Sequence, residues 1–181
     1  MSLIQILTDV DGEYWNILKT SGNLLTNKYL KNLRMSKTII SILESGIATL
    51  EHNANIKQSQ ICALKIRLIK HLYYLPQSVE QSYPVGQKVG QLHNYICQFS
   101  HSSIEKSRSL LYYIYHLAIR GKFEMARHLL VVSSISDDAD RKDIETQILY
   151  NHTIVIYLYI IYFHFNIPNS ILVQACSFCD P

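Results

Sequence analysis

Cys176 and Cys179 form a C-x-x-C, the spacing at which two thiols act as a redox dithiol or supply half of a zinc site. A redox motif wants a strand before it and a helix after it. A zinc site needs two more ligands, and the other cysteines, Cys62 and Cys97, lie far off in the chain. The pair therefore reads as ordinary cysteines of a terminal helix. Eight histidines invite metal or acid-base chemistry, yet none forms H-E-x-x-H, H-x-x-x-H or a tight cluster with carboxylates. His116, His128 and His152 fall on expected helices, and His128 follows Glu124 at the spacing of a helix-surface pair. No G-x-S-x-G elbow, phosphate-cradling glycine loop or carboxylate pair on an apolar surface occurs. The residues describe a non-enzymatic protein with no cofactor, no metal and no small-molecule substrate.

One charged pattern remains. Lys28, Lys31, Arg34 and Lys37 recur every third residue, which on a helix makes a basic stripe drifting slowly around the axis. Such a stripe is either solvated surface or a phosphate-binding face that would hold RNA without reading its sequence. Lys65, Arg67 and Lys70 add charge on the next helix. Tyr73 and Tyr74, at a helix end, suit either stacking on bases or packing. The formal charge of +3 is uneven, since residues 1–100 carry ten Lys and Arg against six Asp and Glu.

The chain has 181 residues, 48% hydrophobic and 17% charged, which excludes a disordered tail and points to extensive burial. That length can bury roughly 70% of the unfolded surface without a disulfide or metal. The start carries no signal-peptide pattern, so reduced cysteines in the cytoplasm are the simpler reading. From Thr146 through Cys179 there is no Asp, Glu, Lys or Arg, and the middle reads IVIYLYIIYFHF. A membrane span wants ~20 predominantly apolar residues. Asn151, His152, His164, Asn166 and Pro168 interrupt this one, so it reads as a helix buried on all sides.

Apolar residues recur at helical spacing through Ile39, Leu43, Ile47 and Leu50, and through Ile61, Leu64, Leu68, Leu72 and Leu75. Two amphipathic helices follow, with a bend at Asn53 to Asn55 and a shorter helix around Trp15 before them. The stretch LPQSVEQSYPVGQKVG, with Pro76, Pro84, Gly86 and Gly90, reads as a loop. Ser102 and Glu105 fit a capping box that starts a helix running to Arg120. Gly121 then suits a left-handed C-cap, and a second helix runs from Lys122 to about Val132. Ser136 to Asp140 form a polar connection to a long helix from about Asp143 to Phe165, and Pro168 opens a final short helix. No run alternates as a strand does. The expected fold is all-α, with stacked antiparallel helix pairs of the tetratricopeptide or HEAT kind and no sheet.

Gly121, Phe123 and Ala126 match G-x-F/Y-x-x-A, the turn and second-helix core of such repeats. Glycine permits the reversal, the aromatic ring fills the space between the helices, and alanine admits close approach. Beyond this, IYHLAIRGKFEMARHLLVVSSI followed by QILYNHTIV resembles a block of the c subunit of eukaryotic translation initiation factor three. The matching elements fall at Ile114 to His116, Phe123 to Arg127, Leu129 to Ser134 and Gln147 to Thr153. His152 departs from the Arg usual there, and the helix continues as IYLYIIYF rather than toward a Leu-Gly step.

The resemblance implies a scaffold without catalysis. Its expected partners are other subunits of the initiation factor complex and the small ribosomal subunit, with RNA as the alternative through the basic stripe. It further implies one helical domain that is a piece of a longer module. Residues 1–75 would be N-terminal helices, 76–101 a loop and short helix, and 102–181 the helical part of a PCI-type module, since no winged helix fits between Pro168 and Pro181. The fold-defining residues on this view are Gly121, Phe123 and Ala126 at the hairpin, with Tyr150 and Asn151 on the next helix.

Overall fold

The computed structural model describes residues 2–22, 26–53, 55–75 and 83–166. The C-x-x-C and the helix expected from Pro168 lie outside these. No strand occurs among the described residues, and the fold is all-α as the periodicity predicts. None of the described helices is long and apolar enough to cross a membrane.

Helix α1 (Leu3–Thr20) opens with the Ser2 side chain accepting from the Gln5 amide. At 18 residues it is longer than the short helix expected around Trp15, because Leu7, Tyr14 and Leu18 form a buried face over its whole length. Helix α2 (Asn27–Arg34) buries none of its residues. It ends at Met35, where the chain turns before α3 (Ser36–Glu51). Ile39, Leu43, Ile47 and Leu50 of α3 are buried, as their spacing predicts. Gly46 of α3 lies against α1, since a Cβ there would stand 2.5 Å from a methyl of Leu7. Leu7 lies against Gly46, while Ile17, further along α1, lines one groove with Met35 and Ile39 near the start of α3, so α1 and α3 run antiparallel.

Helices α4 (Gln58–Leu72) and α5 (Val85–Phe99) form the next pair. The loop expected across 75–90 is therefore shorter, for the chain is already helical at Val85. Pro84 occupies the cap position, where its missing amide costs nothing. Val85, Val89, Leu92 and Ile96 then bury one face, each contributing about 1.5–3 kcal/mol. That tertiary gain outweighs the unfavourable helix propensity of Gly86 and Gly90, ~1 kcal/mol apiece.

Helix α6 (Ser103–Ile119) begins at Ser102, whose hydroxyl accepts from the Glu105 amide at 3.3 Å. The return half of the capping box is relayed. The Glu105 carboxylate accepts from the Ser100 hydroxyl, which in turn accepts from the Ser102 amide. Helix α7 (Phe123–Val132) follows directly. The polar connection expected at 136–140 is instead a short helix, α8 (Ile135–Asp138), and a 3-10 turn (Ala139–Arg141), because Ile135 and Ala139 bury themselves there.

Helix α9 (Ile144–Asn166) packs on α6. Arg108 near the start of α6 bonds to Asp143 and Thr146, while Tyr115 meets His152, so the two helices run parallel and α7 returns between them in the chain. The repeating unit is thus a helix and its antiparallel partner, with first helices laid side by side. One core cluster spans α1, α3, α4 and α5 and reaches Tyr112; a second joins α6, α7 and α9.

Candidate interaction surface

Gly121, Phe123 and Ala126 lie at the turn between α6 and α7 and on α7. Gly121 has φ +70°, its amide donates to the Ala118 carbonyl at 3.0 Å, and the Lys122 amide donates to the Leu117 carbonyl at 2.9 Å. This is the paired Schellman closure that satisfies carbonyls left over at a helix end. A Cβ at Gly121 would meet no atom within 4 Å. Valine there should lower stability by ~1–2 kcal/mol through backbone strain alone. Asparagine should recover part of the loss, and thermal melts of both variants check this. Phe123 packs against the cluster of Ile114, Leu117, Ala118 and Ala126, and both alanines are wholly buried. Tyr150 is half-buried and Asn151 exposed on α9, apart from this cluster.

The basic stripe is split. Lys28, Lys31 and Arg34 stand on α2 and Lys37 on α3, with the turn at Met35 between them. All four are exposed, and none takes part in an ion pair among the described residues. Lys65, Arg67 and Lys70 are instead paired with Glu51, Asp11 and Glu145. Tyr73 is given to packing. Its ring centroid lies 4.7 Å from that of Tyr112 and 4.9 Å from that of Tyr115, and burial pushes its hydroxyl up to about 12.

A buried ionic cluster lies beyond what the spacing predicts. Asp11 of α1 is almost fully buried and accepts from Arg67 Nη1 at 2.7 Å, His71 Nε2 at 2.6 Å and Trp15 Nε1 at 3.2 Å. The Trp15 ring stacks on His71, centroids 5.1 Å apart. Burial alone would raise the Asp11 carboxyl, but the hydrogen bonds and charges of His71 and Arg67 outweigh it and hold the carboxyl below its ordinary value. The cluster ties α1 to α4. At the start of α9, Asp143 accepts from the Thr146 amide and hydroxyl, at 3.2 and 2.6 Å, and from Arg108 at 2.6 Å. Those Thr146 and Arg108 bonds hold the Asp143 carboxyl at about 2. No group of His, Cys, Asp and Glu arranged to hold a metal occurs among the described residues.

Helix α9 is not buried on all sides. Thr146, Thr153 and Tyr157 face the core, whereas Ile144, Ile148, Val155 and Leu158 recur at helical spacing and are 75%, 63%, 61% and 57% exposed. Tyr159 and Tyr162 lie on the same exposed side. Between Ile148 and Tyr162 the exposed polar residues are Asn151 and His152, so this length of the stripe carries no fixed charge.

A row of helix pairs tied by a buried ionic cluster defines an all-α helical array. The chain belongs to the family described as the N-terminus of eukaryotic translation initiation factor 3 subunit 8, whose model matches residues 1–163. The match thus takes in the first thirty residues, which carry no motif of their own. The c subunit of eukaryotic translation initiation factor 3 from Caenorhabditis elegans is 28% identical over 160 residues, covering 84% of this chain and 17% of that protein. The Bombyx mori protein of that name is 27% identical over 159 residues, 83% of this chain and 18% of the relative. The Dictyostelium discoideum one is 26% identical over 162 residues, 85% and 17%. The chain spans under a fifth of the length of these curated relatives.

Proposed function

We propose that this array is a non-catalytic scaffold segment of a translation initiation factor 3 complex, holding neighbouring subunits during assembly on the small ribosomal subunit in the cytoplasm. On this reading the part of the chain from residue 102 onward belongs to the helical part of a PCI-type module. The observation that carries it is the exposed apolar stripe of α9, formed by Ile144, Ile148, Val155 and Leu158 and free of fixed charge from Ile148 on. A surface without charge gains little from water and much from an apolar partner, ~25 cal/mol per Å² covered. Affinity capture from a cell extract, followed by mass spectrometry, tests it. Initiation factor subunits should be recovered with the chain and lost with V155E/L158E.

The exposed stripe of Lys28, Lys31, Arg34 and Lys37, in no ion pair among the described residues, supports a second reading, contact with RNA. Phosphate contacts release counterions, so binding of this kind falls steeply with salt. On this reading, replacing the four by Glu abolishes binding to structured RNA in a salt titration. Salt-insensitive capture of protein subunits by the same variant would set the reading aside.

A further inference from the structure

A groove runs between α1 and the α2–α3 turn. Its floor is Val10, Tyr14 and Ile17 of α1 with Met35 and Ile39, and it encloses about 320 Å³. Ile6 on α1 and Ile42 on α3 are partly exposed and extend the strip, and the antiparallel packing of α1 and α3 brings them toward one end of it. From Leu3 to Ile17 the α1 wall is ~21 Å long at 1.5 Å per residue, room for about four turns of a second helix.

The two walls differ in charge. Asp9 and Glu13 line the groove from α1 and are exposed. On the other side, the exposed Lys28 and Lys31 stand four residues before Asn32 and Met35, both groove-lining residues, and so share the side of α2 that borders the groove. No ion pair joins the walls among the described residues, and the apolar floor holds them apart. The α2 wall is tied to the end of α1, where the Asn32 side-chain amide donates to the Ser21 hydroxyl at 2.7 Å.

We propose that this groove docks one amphipathic helix of a partner polypeptide, whose basic flank lies along Asp9 and Glu13 and whose acidic flank lies along Lys28 and Lys31. Apolar anchors at i, i+3 or i+4, and i+7 match a groove two helices wide. Opposed charges on its rims select a helix with unlike flanks and reject one with like flanks, because a like flank meets its own sign on one wall. The site is separate from the α9 stripe.

Three synthetic amphipathic helices of ~18 residues with one apolar face test this on the full chain by fluorescence anisotropy. One has a Lys flank and a Glu flank, one has Lys on both, and one has Glu on both. The mixed helix should bind tightest, by about fivefold over either other. M35D should weaken all three, and D9K/E13K should transfer the preference to the all-Glu helix; melting temperatures should stay unchanged, since the substituted side chains are exposed. Equal binding of all three helices, no binding, or a preference that D9K/E13K leaves unmoved overturns the proposal. None of these outcomes bears on the α9 reading, which variants of Val155 and Leu158 report.

Discussion

Asp11→Ala should be among the most damaging single substitutions in the chain, lowering stability by about 3–5 kcal/mol. The reason is asymmetry: His71, wholly buried, loses the acceptor for its Nε2, and Arg67 loses its carboxylate partner while Trp15 Nε1 is left unbonded. For a chain of this length the melting temperature at neutral pH should fall by roughly 6–20 °C. The effect is pH-dependent, and its sign is fixed. The folded-state Asp11 carboxyl is held below its ordinary value. Its contribution is therefore complete above the unfolded carboxylate range, about 3.9, and is lost as pH falls through the folded value. Melts followed by circular dichroism should show wild type and Asp11→Ala far apart at pH 7 and converging in strong acid. A gap that stays constant down the acid limb contradicts an ionised Asp11 at the centre of the cluster.

Ala126→Leu should be the next most damaging. Ala126 and Ala118 are both fully buried where α7 crosses α6, with Phe123 filling the space beside them. Added carbons have no cavity to enter, so the helices must part or side chains leave their rotamers, at about 1–3 kcal/mol. Ala126→Gly adds no volume and should cost only ~0.5–1 kcal/mol in helix propensity. Hydrogen exchange should locate the Leu damage in α7 and the facing side of α6 and leave α1 to α4 protected. Uniform loss of protection would mean that the hairpin and the N-terminal helices unfold as one unit.

How much of this is legible in the sequence depends on which force decides each element. Helices α3, α4, α6 and α7 follow from periodicity and from Gly121, because local preference and burial agree there. At Val85 to Gly90 they disagree: glycines and a preceding proline signal a loop, and only the partners of Val85 and Val89 make a helix. The ionic cluster leaves only a faint trace. Asp11 lies on the same face as Leu7, Tyr14 and Leu18, and His71 sits between Ile69 and Leu72, so each interrupts an apolar stripe with a group needing a buried partner. Which partner each finds is a tertiary fact no spacing encodes. Helix α9 shows the opposite limit. Its composition describes burial all round, and periodicity cannot tell a face covered within the chain from one left for another molecule. The basic stripe is legible as charge, but its break at Met35 is not, since Met is an ordinary helix residue.

The most direct test of the scaffold account is quantitative capture by the wild-type chain and by V155E/L158E. Both side chains are exposed, so the paired substitution should change stability by no more than about 1 kcal/mol, and a melt alongside the capture checks that. The account predicts that translation initiation factor subunits are recovered with wild type at moderate and high salt and are lost with V155E/L158E. Undiminished recovery of those subunits by the folded variant, or recovery of none by wild type, would contradict it.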